Sequence, residues 1–346
     1  MDLARLTVLV VNAGSTSLKL NVVDGDESRP VDGFVPADAV AHRIVHGGDL
    51  REPTVVDDAL LARLEQLVEL APLHNRPAVD AIAAARRALP DVPHVAVFDT
   101  AFHATIPTVA LTYALPAEWR RHIRRYGFHG LSVQWSSERV RARRLVVCHL
   151  GGGCSVTAVR DGRSLDTTMG FTPVEGVPMA TRPGSVDPGA LVYLLRHGVS
   201  VDALDDGVEH RSGLLGLSGV SGDVAALQHS DEPAAALALD VFAYRVAGAV
   251  AAMAVPLGGL DALVFTAGIG EHSAQVRAAV CARLAFLGVE LDAARNAAAR
   301  PDADISPSGS AVRVAVIRAR EELIAARAVR DLLGCQPPAM TETAET

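Results

Sequence analysis

Apolar and polar positions fall in short, ordered bursts along the chain. Near its start, "VLVVNAGSTSLKLNVVDG" places four apolar residues before a small polar stretch, Asn12 to Ser17, and then an alternating run that closes on Asp24-Gly25. Apolar runs of this length bounded by turn residues predict two strands joined as a hairpin. The pattern returns at residues 145–162, "LVVCHLGGGCSVTAVRDG". The two stretches align without a gap, with Asn12 on His149, Gly14 on Gly151, Ser17 on Cys154 and Asp24-Gly25 on Asp161-Gly162. One such hairpin opening each half predicts two related domains whose loops face a common cleft.

Helical periodicity takes over between the copies, in "DDALLARLEQLVEL" and "AVDAIAAARRAL", before a strand-like "HVAVFDT". After the second copy, "DPGALVYLLRHG" reads as a helix ending at Gly198, and "AAALALDVFAYRVAGAVAAMAV" as a long apolar helix stopped by Pro256. The strand "DALVFTAG" leads into a helix, and a last strand, "AVRVAVI", leads into "REELIAARAVRDLL". Strands alternating with helices in two duplicated halves make the fold class α/β.

The 346 residues suffice for two domains, and 49% hydrophobic residues predict packed cores. A net charge of −8 argues against a nucleic-acid surface, which needs clustered Lys and Arg. The basic cluster "RRHIRRYGFHG" with "RVRARR" is expected as solvated helix faces and loop. Cys148, Cys154, Cys281 and Cys335 show neither metal-ligand spacing nor a disulfide framework, which fits a reducing cytoplasm. The most apolar run, "VAGAVAAMAVPLGGL", follows Arg245 and contains Pro256, so a buried helix rather than a membrane span is expected. The N-terminus carries no signal-peptide cleavage pattern.

Three glycine-containing loops carry the candidate chemistry. "NAGSTS" offers backbone N–H groups, hydroxyls and Lys19 to one anion, although it lacks the Walker A spacing. "HLGGGCS" lets the backbone approach a ligand closely at Gly151, Gly152 and Gly153. "FTAGIGEHS" follows a strand and opens a helix, a common place for nucleotide contacts, with a plain β-α turn as the simpler alternative. Arg43 in "AHRIVHGG", Arg182 in "MATRPGS" and His129 in "RRYGFHG" supply what a transferring phosphoryl group needs. His42 and His46, four apart with no carboxylate or third His nearby, are expected to be structural rather than metal ligands.

In order along the chain, "NAGSTSLK", "HRIVHGG", "APLHNRP", "FDTAFHATIP", "RRYGFHG", "HLGGGCSVTAV", "FTAGIGE" and "EELIAAR" resemble the acetate kinase family. The resemblance implies two duplicated actin-like ATPase domains, ribonuclease H-like in topology, around a central cleft. Residues 1–103 with 322–346 would form the N-terminal domain, and 104–321 the second domain with the nucleotide site. It also implies reversible, Mg²⁺-dependent phosphoryl transfer between ATP and acetate, giving acetyl phosphate and ADP. Propionate or another short acid is the alternative substrate, and a degenerate nucleotide-binding protein the alternative class.

By motif, Asn12 and Glu321 would support the Mg²⁺, with Asp99 alongside. Ser15, Ser17, Lys19, His149, Gly151 and Gly153 would line the phosphates. Arg43 and Arg182 would grip the carboxylate and the phosphoryl, with His129 hydrogen-bonding the phosphoryl oxygens. Asp223, Gly268, Ile269, Gly270 and Arg277 would lie at the nucleotide, and Val45, Leu73, Phe128 and Pro173 would form an apolar pocket for the acetate methyl. The resemblance also implies a cytoplasmic homodimer, with the helix at 234–255 as a candidate interface or, equally, as domain core, and two lobes are expected to hinge near residue 103 and Glu321. The chain departs from the family pattern at Gly152, where Asn is usual, and at Ala225, where an Arg commonly packs on the nucleotide. Further departures are Val133, Pro183, Ser185, His272 and the run Arg318, Ala319, Arg320. The segment before "AHRIVHGG" is also short.

Overall fold

The computed structural model describes residues 6–13 and 18–334, apart from the side chains of Pro72 and Leu73. The chain divides into two compact units, Met1–Ala101 with Glu321–Thr346, and Phe102–Arg320.

In the first unit, β1 (Val8–Ala13), β2 (Leu18–Asp24) and β3 (Glu27–Pro30) form an antiparallel meander. Then β4 (Ala39–Ile44), β5 (Thr54–Val55) and β6 (His94–Phe98) extend the sheet on the other side of β1, in the order β3-β2-β1-β4-β6-β5. The pairs β1/β4 and β4/β6 are parallel. Parallel strands need both faces covered, and this shows in the near-continuous burial of β1, β4 and β6. The helix Glu321–Gly334 returns to this unit and lays Leu323, Ile324, Ala326 and Val329 over β1 and β4. Arg330 pins it, donating to the carbonyls of Leu6, Val23 and Gly25 at 2.9–3.1 Å.

The second unit repeats the plan. A meander of β7 (Arg144–Leu150), β8 (Cys154–Arg160) and β9 (Arg163–Thr167) is joined by β10 (Ala262–Thr266), β11 (Ala303–Asp304) and β12 (Arg313–Val316), in the order β11-β12-β10-β7-β8-β9. Read from the meander edge, the two sheets have the same strand order and the same parallel and antiparallel pairings.

The hairpins themselves do not align without a gap. Ala13 pairs with Leu18 across four intervening residues, whereas Leu150 pairs with Cys154 across three. Past the loop the two copies are therefore one residue out of step. The next turns show the same slip: residues 25–26 turn the first meander with Gly25 at φ 56°, while Asp161 and Gly162 turn the second with φ 49° and 76°. Two successive positive φ values suit a type I′ turn, so Asp-Gly fills both central turn positions only in the second copy, while in the first only Gly25 occupies one.

Two helices also depart from their pattern. The helix expected over 78–89 begins earlier, at Pro72, and runs to Ala88, because Pro at the first helical position needs no N–H partner. The long apolar helix is Pro233–Leu257 and passes through Pro256. A proline in the last turn forfeits one hydrogen bond only, and the true stop is Gly258 in the left-handed conformation (φ 69°, ψ 34°). Arg160 and Arg144 donate to the carbonyls of Pro256 and Gly258, at 2.6 and 3.0 Å. By length and composition this helix could cross a membrane. Its stripe of Phe242, Val246, Val250 and Leu257 is buried, and the helix packs on β7 and β8.

Candidate active site

The first unit gathers its polar residues at the C-terminal ends of parallel strands, the usual place for ligands in α/β sheets. Asn12 on β1 is the register partner of Arg43 on β4, and Asp99 follows β6, its N–H donating to Ile44 O at 3.0 Å. Arg43 forks onto Asp99, Nε to Oδ1 at 2.9 Å and Nη2 to Oδ2 at 2.6 Å. Its Nη1 donates to Asn12 Oδ1 at 3.0 Å and lies 3.4 Å from Glu321 Oε2, at the start of the returning helix. Burial opposes the Arg43 charge, but Asp99 and Glu321 together hold its pKa above the ordinary value. Lys19 is exposed opposite Asn12. Ser15 and Ser17 lie outside the described residues.

Alternation along β4 sends the neighbouring side chain to the opposite face. His42 is buried there, its Nε2 2.9 Å from His94 Nδ1, while His94 Nε2 is 2.9 Å from Leu89 O. A carbonyl only accepts, so His94 carries its proton on Nε2 and His42 Nε2–H donates to His94 Nδ1. Burial, then the charge of His94, pushes the His42 pKa down to about 3. His46 instead braces the following glycines: Asn75 bonds its N–H and carbonyl at 3.1 and 2.9 Å, and its Nδ1 accepts from Gly48 N–H at 3.1 Å.

Asn12, Asp99 and Glu321 present hard oxygen donors around one cationic point, a donor set that suits Mg²⁺. Among the described residues no group of three or more His, Cys, Asp or Glu side chains is arranged to hold a metal by itself. An ion here would take Asn12 and Glu321 and draw its remaining ligands from phosphate and water, as Mg²⁺ commonly does.

The second unit builds its cluster around a glycine. His129 has the left-handed conformation (φ 60°, ψ 23°) ahead of the helix Gly130–Val140 and makes no side-chain cap. Its imidazole stacks on His149, with centroids 3.9 Å apart and planes 16° apart, and Nδ1 is 3.0 Å from Ser155 Oγ. His149 Nδ1 is in turn 2.8 Å from Ser132 Oγ. A Cβ placed on Gly153 would lie 2.9 Å from Arg182 Nη2 and 3.3 Å from His129 Nε2, so both groups converge on the space that glycine leaves open. Arg182 Nη1 donates to Pro173 O at 2.7 Å. Burial lowers the Arg182 pKa, and the Glu209 charge opposes that shift.

Beside this cluster opens a cleft of about 580 Å³. Gly151, Asp223, Gly268 and Ile269 line it, as do the divergent positions Gly152, Ala225 and His272. The Asp223 carboxylate caps the helix Val224–Gln228 through Ala226 N–H at 2.9 Å. Arg277, expected at the nucleotide, is 1% exposed and is absent from the cleft lining. Its guanidinium donates to the carbonyls of Gly270 and Glu271, both at 2.9 Å, and to Asn296, so it braces the glycine loop from behind. Gln228, bonded to Ser273 at 2.7 Å, is a cleft residue that no motif flagged. Val45, Phe128 and Pro173 are buried within their own units, and the Leu73 side chain lies outside the described residues.

The sequence profile of the Acetokinase family matches residues 34–327. An acetate kinase of Nostoc punctiforme is 47% identical over 317 residues, covering 88% of this chain and 78% of that protein. One of Clavibacter michiganensis is 48% identical over 308 residues, covering 84% and 78%. Among solved structures, a propionate kinase of Francisella tularensis superposes with a TM-score of 0.86 at 32% identity, over 93% of this chain and 98% of that one. An acetate kinase of Porphyromonas gingivalis gives 0.84 at 31%, over 94% and 99%. The duplicated six-stranded sheets are the actin-like ATPase architecture of these neighbours. With the profile spanning most of the sequence and relatives near half identity, the chain belongs to the acetokinase family.

Proposed function

We propose that this chain transfers a phosphoryl group reversibly between ATP and acetate, giving acetyl phosphate and ADP, with Mg²⁺. The observation that carries the reading is the convergence of Arg182 and His129 on the open space at Gly153, beside a glycine-lined cleft. Acetate, with a pKa near about 4 to 5, is already ionised at neutral pH, so the reaction needs no general base. It needs positioning, and donors for the charge spread over the equatorial oxygens of the transferring group.

Arg182 and His129 Nε2 are the donors proposed for that task. The Ser155 contact at Nδ1 fixes the ring's orientation. His149, Gly151, Gly153 and Lys19, with Ser15 and Ser17, are assigned to the phosphates, and Asp223, Gly268, Ile269 and Gly270 to the nucleotide. Arg277 supports that loop from behind. Arg43 is assigned to the acid, with Asn12 and Glu321 as protein ligands for the Mg²⁺ and Asp99 fixing Arg43. When bound, the ion would supply positive charge to offset that of the phosphates. Val45, Leu73, Phe128 and Pro173 are assigned to the acetate methyl.

Propionate is the second reading, supported by the 32% identical Francisella tularensis propionate kinase. One added methylene changes selectivity by only about 1 to 3 kcal/mol. Trapping acyl phosphate with hydroxylamine, using ATP, Mg²⁺ and acetate, propionate or butyrate in parallel, tests both readings. Product with acetate supports the proposal, dominance of propionate supports the second reading, and no product from folded protein that binds ATP defeats both.

We also propose a cytoplasmic homodimer. Buried free thiols at Cys148, Cys154 and Cys281 suit a reducing compartment. Leu237, Tyr244 and Val255 on the helix Pro233–Leu257 are 58%, 65% and 79% exposed, apolar surface available to a second copy. A monomer mass by light scattering would overturn the dimer.

A further inference from the structure

The loop that leads up to Arg182 is closed by a single guanidinium. Arg125 Nη1 donates to three successive carbonyls, Thr167, Thr168 and Met169, at 2.9–3.0 Å, while its Nη2 donates to Glu175 Oε1 at 2.9 Å. The two ends of the stretch 167–175 are thus tied to one planar group. Tyr113 ties the middle: its hydroxyl donates to Glu175 Oε2 and accepts from Phe171 N–H at 3.0 Å. Gly170 fits beneath because a Cβ there would overlap both the Glu175 carboxylate and the Tyr113 hydroxyl.

Pro173 lies within this closed stretch, and its carbonyl is the acceptor for Arg182 Nη1 at 2.7 Å. No bond of Tyr113, Arg125 or Glu175 reaches Arg182 directly; the connection runs through the backbone that they fix. We propose that Glu175, clamped by Tyr113 and Arg125, is a positioning residue for Arg182 and for the acid-facing wall at Pro173, so that acid selectivity is set partly from outside the pocket. The inference rests on the carboxylate kinase reading for the identity of the acid, but the clamp itself stands on the geometry alone. Burial, together with the Glu175 carboxylate, pushes the Tyr113 pKa up against the opposing charge of Arg125, so the phenol keeps the proton it donates.

The test compares the full chain with Tyr113→Phe, which removes one hydroxyl, and Glu175→Gln, which removes the charge. Amide hydrogen exchange over 169–175 should quicken about tenfold in both, most clearly at Phe171, while β7 and β8 keep their protection. The ratio of kcat/KM for acetate to that for propionate should shift by about threefold or more, with KM for ATP unchanged. That ratio is independent of the amount of folded enzyme, so a merely structural role would not move it. Unchanged exchange in both variants overturns the clamp. Faster exchange with an unchanged ratio overturns the positioning role. Absence of acyl phosphate from the unaltered chain with every acid would defeat the kinase reading and the positioning role with it, while the exchange comparison would still decide the clamp.

Discussion

Arg43 forks onto Asp99 with two hydrogen bonds, of 2.9 and 2.6 Å, and Asp99 is 0% exposed. A buried carboxylate in that geometry depends on its guanidinium for more than catalysis. Arg43→Ala is therefore expected to cost about 3–5 kcal/mol of stability, read as a lower urea midpoint. A wild-type midpoint would show that Asp99 does not need Arg43. Arg182, whose Nη1 donates to the backbone carbonyl of Pro173, should behave differently. Arg182→Ala is expected to lower kcat by about 10³-fold while changing the midpoint far less. Near-normal turnover would remove Arg182 from the proposed site.

His129 has positive φ, where most side chains are strained but asparagine is tolerated. His129→Asn should thus remove the imidazole while sparing the backbone, and lower kcat by about 10²-fold or more with an unaltered melting temperature. Loss of melting temperature in step with activity would assign the histidine to folding instead.

Gly152 and Gly153 are neighbours with opposite expectations. A Cβ on Gly152 meets nothing within 4 Å, so Gly152→Asn should fold and, by adding a donor at the cleft, lower KM for ATP several-fold. A Cβ on Gly153 would crowd Arg182 and His129, so Gly153→Ala should lower kcat by about tenfold or more with binding of ATP retained. Equal kinetics for the two variants would contradict the proposed convergence point.

The fully buried His42 sets a pH dependence of stability. Unfolded, it takes up a proton near its ordinary 6.5; folded, only near about 3. Between those values the unfolded state binds more protons, so stability falls as pH falls, by up to about 1.4 kcal/mol per pH unit from this residue. Above 6.5 the ring is neutral in both states and adds no slope. His42→Phe should flatten the decline between about pH 6 and 4 relative to wild type, measured by urea unfolding. Parallel declines would show that His42 titrates normally in the folded chain.

Short-range pattern made much of this legible. The two hairpins and the strands β6, β10 and β12 follow from apolar runs, whereas β4, which brings Arg43 beside Asn12, does not stand out among them. What stayed hidden depends on distant partners. Ser132 bonds His149 from 17 residues away, and Ser155, although it closes "HLGGGCS", bonds His129 from 26 residues away, a pairing the loop does not announce. The family resemblance assigns Arg277 to the nucleotide, but its guanidinium turns inward to Asn296, 19 residues further on. Pro256 reads as a stop because local rules cannot count how many turns remain after it. Gln228 entered the cleft lining only through tertiary packing.

Counting from the paired strands, Asn12 corresponds to His149, and their cross-strand partners Lys19 and Ser155 correspond to each other. Equal spacing in sequence would instead have matched Lys19 with Val156. One copy of an inherited hairpin thus holds an amide and an ammonium at this station, and the other holds a histidine and the hydroxyl that orients His129. The same pair of sheet positions serves charge in one half and ring alignment in the other, and a one-residue difference in loop length sets the two hairpins out of phase.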